Sequence, residues 1–241
     1  MTKNNADLLI DMLLHFPKLD NVFNPHTDYD SQHDASKDAP IIRRNQFKSY
    51  INGRVDDAKV VLIAEAPGYK GCKFSGIAMT DKRVLLGKKV SAPFGQHSII
   101  DIEAQRTSAI TPGISEFGMG ELTSTVLYSF LYENNIDPRT VVTWNAFPFH
   151  PHEAGNPMSN RAPKIHEIEG ANHIHREFFS VFSGCRVISI GNYASELMDE
   201  LGIACERVRH PAFGGAKIFT EFLKKAIKSD PRQSFMELSV A

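Results

Sequence analysis

Four short apolar runs punctuate the chain, and none alternates with polar residues. Lys59-Val60-Val61-Leu62-Ile63-Ala64 comes first. Thr140-Val141-Val142-Thr143-Trp144, Arg186-Val187-Ile188-Ser189-Ile190 and the weaker Cys205-Glu206-Arg207-Val208-Arg209 follow. Each is too short for a helix, and unbroken β-branched character fits a strand buried on both faces. Between the runs the period lengthens. Residues Gly120–Asn134 place apolar side chains at Leu122, Val126, Leu127, Phe130 and Leu131, the spacing of one helical face. Ile165–Phe182, Tyr193–Leu201 and Ala216–Ile227 also read as helices, as do residues 1–16 and a short stretch, Asn45–Ile51. Residues 17–40 hold Pro17, Pro25 and Pro40 among several Asp and Asn, and read as an extended loop. Strands alternating with helices predict an α/β fold: a three-layer α/β/α sandwich around a four-stranded parallel sheet. The expected organisation is an N-terminal helical and loop extension over 1–57, one domain over 58–228 and a loose tail over 229–241.

The 241 residues suffice for one sizeable core. With 42% hydrophobic and 23% charged residues the composition is that of an ordinary soluble protein. No apolar run approaches the roughly 20 residues that span a bilayer, and no signal peptide is read at the start. A cytoplasmic monomer is expected. Cys72, Cys185 and Cys205 are odd in number and widely spaced, so neither disulfides nor a metal or cluster site is expected.

The net charge of −1 gives no global attraction to nucleic acid. Its distribution is uneven. Lys70, Lys73, Lys82, Arg83, Lys88 and Lys89 crowd residues 68–90 against Asp81 alone, whereas residues 28–38 are acidic. The basic stretch is either a solvated face or a surface for phosphates.

Ligands of parallel sheets bind at the carboxyl ends of the strands, and the distinctive residues fall there. The first run ends in Ala64-Glu65-Ala66-Pro67-Gly68-Tyr69-Lys70-Gly71. A carboxylate beside the core and above a tight turn orients water or steadies a cationic transition state; the alternative is a loop cap. The second run ends in Trp144-Asn145-Ala146-Phe147-Pro148-Phe149-His150-Pro151. A fixed amide there reads the polar edge of a base, or ties a turn. The third leads through Gly191 to Asn192, read as a helix N-cap. The fourth reaches Arg209-His210-Pro211-Ala212-Phe213-Gly214-Gly215, where a histidine on a glycine-rich turn before a helix suits an anionic ligand. Arg207 and Arg209, two apart on a strand, share a face. His173 and His175 read as surface residues, and Trp144 with Phe147 and Phe149 as packing.

A carboxylate, an amide and a histidine on three strand tips resemble the uracil-DNA glycosylase superfamily over residues 58–226. Ala64-Glu65-Ala66-Pro67-Gly68 is similar to the Gly-Glu-Ala-Pro-Gly motif of its iron–sulfur branch, and His210-Pro211-Ala212 to its His-Pro-Ser. The motif beginning at Asn145 and the segment Asn160-Arg161-Ala162-Pro163 lie in the matching order. The resemblance implies a four-stranded parallel sheet between helices and hydrolysis of the N-glycosidic bond of an altered base flipped out of DNA. DNA is then the partner, and no metal or other cofactor is required. It implies that His210 stabilises the departing base and Glu65 positions water or stabilises the sugar cation. Asn145 would read the base, with Ala66, Tyr69 and Met79 around it. Pro67, Gly68, Pro151, Arg161, Pro211, Ala212 and Gly214 would hold the DNA backbone.

Three departures bear on substrate choice. Ala64 replaces the motif's first glycine. Gly76-Ile77-Ala78-Met79 stands where the family has Gly-x-Pro-Phe, so Met79 takes the place of a stacking Phe. Ala212 removes a serine hydroxyl, a hydrogen bond of about 1 kcal/mol. The branch's cluster cysteines are missing, so no iron–sulfur cluster is expected. The expected activity is a monofunctional glycosylase for uracil or a related base. The alternatives are a glycosylase for bulky modified pyrimidines and a non-catalytic DNA- or partner-binding module.

Overall fold

All four apolar runs enter one parallel sheet. In the computed structural model, which describes residues 5–87, 99–110, 116–212 and 214–228, they form β2 (Val60–Ala64), β3 (Val141–Asn145), β5 (Arg186–Ile190) and β6 (Glu206–Val208). The order is β3-β2-β5-β6. Every residue of β2 and β3 is buried, which explains their unbroken apolar character. The register sets Ala64 beside Asn145 and Ile190 beside Val208, so the strand tips end together. The architecture is an α/β sandwich.

The helices are α1 (Asn5–Leu14), α2 (Ala39–Asn52), the single turns α3 (Cys72–Ser75) and α4 (Lys82–Leu85), α5 (Leu122–Glu133), α6 (Ile165–Gly170), α7 (Asn172–Val181), α8 (Asn192–Leu201) and α9 (Ala216–Lys228). α1 packs on α2 and α7, α5 on α9, and α8 on β5 and β2. Trp144 stacks on Phe178 of α7 with ring centroids 4.4 Å apart.

Several local expectations are corrected. The helix expected over 45–51 begins at Ala39, because Pro40 sits in its first turn, where a missing N–H costs nothing. The helix expected over 165–182 is two, broken at Ala171. The loop over 17–40 contains β1 (Val22–Phe23), antiparallel to β4 (His150–Pro151). Asn192 is the first residue of α8 rather than its cap; Gly191, at φ +85°, holds the cap position. His175 is buried, not on the surface: its Nδ1 accepts the Trp144 indole N–H at 3.0 Å. The tail at 229–241 lies outside the described residues.

Two cations of the basic stretch turn inward, while Lys70 is exposed. Lys73 and Lys82 are fully buried. Lys73 donates to Asp30 at 2.8 Å and to the Pro157 carbonyl at 2.9 Å, and Lys82 donates to the Gln105 carbonyl at 2.6 Å. Arg83 donates to the Gly118 carbonyl, and Lys88 and Lys89 lie outside the described residues. The acidic segment supplies countercharge to the buried cations.

The segment supplies a second buried pair. Arg43 and Asp34, both fully buried, meet at 2.7 Å, and Arg43 also donates to the carbonyls of Pro25 and Asp28. Removing one member strands a charge in low dielectric. Arg43→Ala is expected to cost about 3–5 kcal/mol of folding stability, measured by denaturant unfolding. Replacing both partners by apolar residues is expected to recover most of that loss.

Candidate active site

A cleft of about 890 Å³ opens at the carboxyl ends of β2, β5 and β6. The β2 tip delivers Glu65, Ala66, Pro67 and Gly68; the start of α8 adds Asn192 and Tyr193; and the β6 tip adds Arg207, Arg209, His210 and Ala212.

Backbone bonds across strand tips fix Glu65. The Phe147 N–H donates to the Glu65 carbonyl at 2.9 Å, and the Ala146 N–H to the Ala64 carbonyl at 2.8 Å. Its half-buried side chain faces the cleft, and burial raises its carboxyl pKa above the ordinary value. The loop beyond is tied at both ends. His150, fully buried, holds the Pro67 carbonyl with Nδ1 at 2.7 Å. Burial pushes its pKa down to about 4, so this ring is neutral. The Tyr69 N–H donates to Asn160 Oδ1 at 3.0 Å.

Gly68 and Gly71 let this loop close over Glu121. A Cβ on Gly71 would come within 2.1 Å of a Glu121 carboxylate oxygen, and one on Gly68 within 3.1 Å.

His210 is oriented by its own turn. The Ala212 N–H donates to His210 Nδ1 at 3.1 Å. A neutral imidazole that accepts at Nδ1 carries its proton on Nε2. Burial lowers the His210 pKa, which keeps the ring neutral at physiological pH. Gly215 makes the turn sterically feasible, since a Cβ there would lie 2.1 Å from the His210 carbonyl oxygen. Gly214, at φ +79°, turns the chain toward α9.

No protein-family model matches the chain, and no curated protein matches it. The fold has a counterpart among solved structures: the crystal structure of Pedobacter heparinus SMUG2 superposes with a TM-score of 0.60 at 13% identity, over 93% of this chain and 97% of that one. SMUG2 is a member of the uracil-DNA glycosylase superfamily. The chain has a uracil-DNA glycosylase fold. Within that fold the cleft unites seven of the thirteen site residues that the resemblance implied: Glu65, Ala66, Pro67, Gly68, Arg161, His210 and Ala212.

Six others stand elsewhere. Asn145 is 3% exposed and lines a separate small cavity. Met79 is 4% exposed and belongs to the hydrophobic core. Tyr69 lies outside the cleft lining, its backbone held by Asn160. Pro151 is buried in β4 against Val22. Pro211 is buried and Gly214 exposed, both outside the lining. Arg161 reaches the cleft, but its guanidinium is bidentate to Glu167 at 2.7 and 2.9 Å. That pairing anchors the 152–167 loop.

The cleft also contains residues that sequence reasoning passed over. Glu121, Thr123 and Ser195 reach it through tertiary packing. Asn160, first residue of the segment matched in the sequence, lines it too. Arg207 and Arg209 both line the cleft, as their shared strand face requires. Arg207 is paired with exposed Asp199, an interaction weak enough to exchange for a phosphate. Among the described residues no group of His, Cys, Asp or Glu is arranged to hold a metal ion, and no helix is long and apolar enough to cross a membrane.

Proposed function

We propose that this chain is a DNA glycosylase hydrolysing the N-glycosidic bond of uracil or a related altered base flipped out of DNA. The observation that carries the reading is the orientation of His210, with Nδ1 occupied by the Ala212 N–H in the cleft that also holds Glu65. As the glycosidic bond lengthens, negative charge grows on the base and positive charge on the sugar. The Nε2–H of a neutral imidazole donates to the base oxygen that gains charge. The Glu65 carboxylate steadies the sugar cation and accepts the proton of the attacking water. Arg207 and Arg209 are the cations placed to meet DNA phosphates, and Ala66, Pro67, Gly68 and Ala212 let the backbone approach closely. In this reading Asn145 selects the base from its own strand tip.

A base-release assay over oligonucleotides carrying uracil, hypoxanthine, xanthine and bulky modified pyrimidines tests the proposal. Free base is expected from at least one substrate. Tight binding to uracil-containing DNA without release, unchanged by His210→Ala, would instead establish a binding module. The position of Asn145 outside the cleft favours that second reading.

The His210 turn makes a second prediction. Gly215→Ala places a methyl against the His210 carbonyl and forces the turn to move. Misplacement of a catalytic group by about 1 Å costs about a hundredfold in rate. Gly215→Ala is expected to lose base release on that scale while its far-ultraviolet circular dichroism stays native.

A further inference from the structure

Glu121 stands directly before α5, and its backbone is fixed on both sides. Its N–H donates to Asp81 Oδ2 at 2.8 Å, and its carbonyl accepts the Thr125 N–H at 3.0 Å and the Thr125 hydroxyl at 2.8 Å. Asp81 is itself held. Its Oδ1 accepts the Val84 N–H at the start of α4, and its own N–H donates to Ser124 Oγ, both at 2.9 Å.

The Glu121 side chain makes no capping bond to α5. It crosses instead to the loop after β2, where Gly68 and Gly71 make way for it. A side chain at position 71 would collide with the carboxylate itself. The cleft that holds His210 therefore carries two carboxylates, Glu65 from the tip of β2 and Glu121 from the start of α5. One loop joins them: Glu65 opens it, and Glu121 lies against its far end.

A second carboxylate works against DNA binding. A polyanion is held by positive charge, and each negative group on the wall weakens the hold. The balance reverses along the reaction. As the glycosidic bond lengthens the sugar gains positive charge, and a fixed carboxylate favours it. A group that opposes the bound substrate and favours the transition state speeds the bound complex on both counts.

We propose that Glu121 is a second carboxylate of the glycosylase reaction: it loosens the hold on intact DNA and steadies the sugar cation beside Glu65. The proposal rests on the glycosylase reading above and adds a residue to it. Glu65 keeps the attacking water.

The test is Glu121→Gln, which preserves the length and shape of the side chain beneath the two glycines and makes the cleft one charge unit more positive. That change is the same whichever groups pair with the carboxylate. Two quantities are read. One is single-turnover release of base from the altered-base panel. The other is affinity for an oligonucleotide carrying 2′-fluoro-2′-deoxyuridine, whose fluorine disfavours the sugar cation and blocks hydrolysis. Release is expected to slow by about tenfold. Affinity is expected to rise by about threefold at low salt, with the gain fading as salt screens the cleft. The opposite signs are the signature, because a residue that only holds the loop would slow release and leave affinity lower or unchanged. Glu121→Asp keeps the charge at shorter reach. It is expected to keep wild-type affinity and most of the rate, and it carries the test if the Gln variant fails to fold. Three results would overturn the Glu121 assignment alone: release within about twofold of wild type by folded Glu121→Gln, slower release without tighter binding, or an Asp variant that loses rate and affinity together. Release of no base by wild type would overturn the glycosylase reading, and the assignment with it.

Discussion

His210→Ala is expected to slow base release by about 10²–10³-fold, the loss typical of removing one preorganised donor to developing negative charge. DNA affinity should change little, because His210 acts on charge that exists only in the transition state. The effect therefore belongs in the single-turnover rate. His210→Gln, which keeps an N–H donor without a titrating ring, is expected to retain part of the rate. A second signature follows from the turn. The Ala212 N–H occupies Nδ1 and burial lowers the ring's pKa, so His210 works as a neutral donor. The imidazole signal of His210 should therefore titrate below the ordinary histidine value of 6.5. Equal rates for wild type and His210→Ala would remove this residue from the chemistry.

Acid should unfold the chain well above the carboxylate range. Burial pushes His26 down to about 3, and His150 and His175 down to about 4. Their ordinary value is 6.5, so between pH 6.5 and about 4 the unfolded chain binds protons that the folded chain refuses. The stability held by these neutral rings is complete above pH 6.5 and drains away as pH falls toward 4. Each histidine loses about 1.4 kcal/mol per pH unit across that window. Three such rings together approach the whole net stability of a domain, roughly 5–15 kcal/mol. Thermal midpoints measured from pH 8 to pH 4.5 should be level at first and then fall steeply below pH 6.5. A midpoint unchanged between pH 7 and pH 5 would contradict the burial of these histidines.

The sheet was legible because β2 and β3 are buried on both faces, which forces a run of Val, Leu and Ile that no other short element needs. The β1–β4 pair was not, since two-residue strands carry no period. The break between α6 and α7 escaped because the apolar positions on either side of Ala171 continue one helical pattern. In the site, Glu65, Pro67, Gly68 and His210 were legible from their places just after apolar runs, where parallel sheets present their ligand-binding loops. Glu121 was not, because its approach to Gly71 is made by chain folding fifty residues away. The partners of the basic stretch were equally hidden. Lys73 meets Asp30 across 43 residues, and nothing local distinguishes a buried lysine from a solvated one. The bidentate bond of Arg161 to Glu167 was hidden in the same way.

The most direct measurement is the product formed from a uracil-containing oligonucleotide, alongside the altered-base panel, under single-turnover conditions. The account predicts free base and an intact strand bearing an abasic site, formed by wild type and about 10²–10³-fold more slowly by His210→Ala. No free base from any substrate, or release that His210→Ala leaves unchanged, would contradict it.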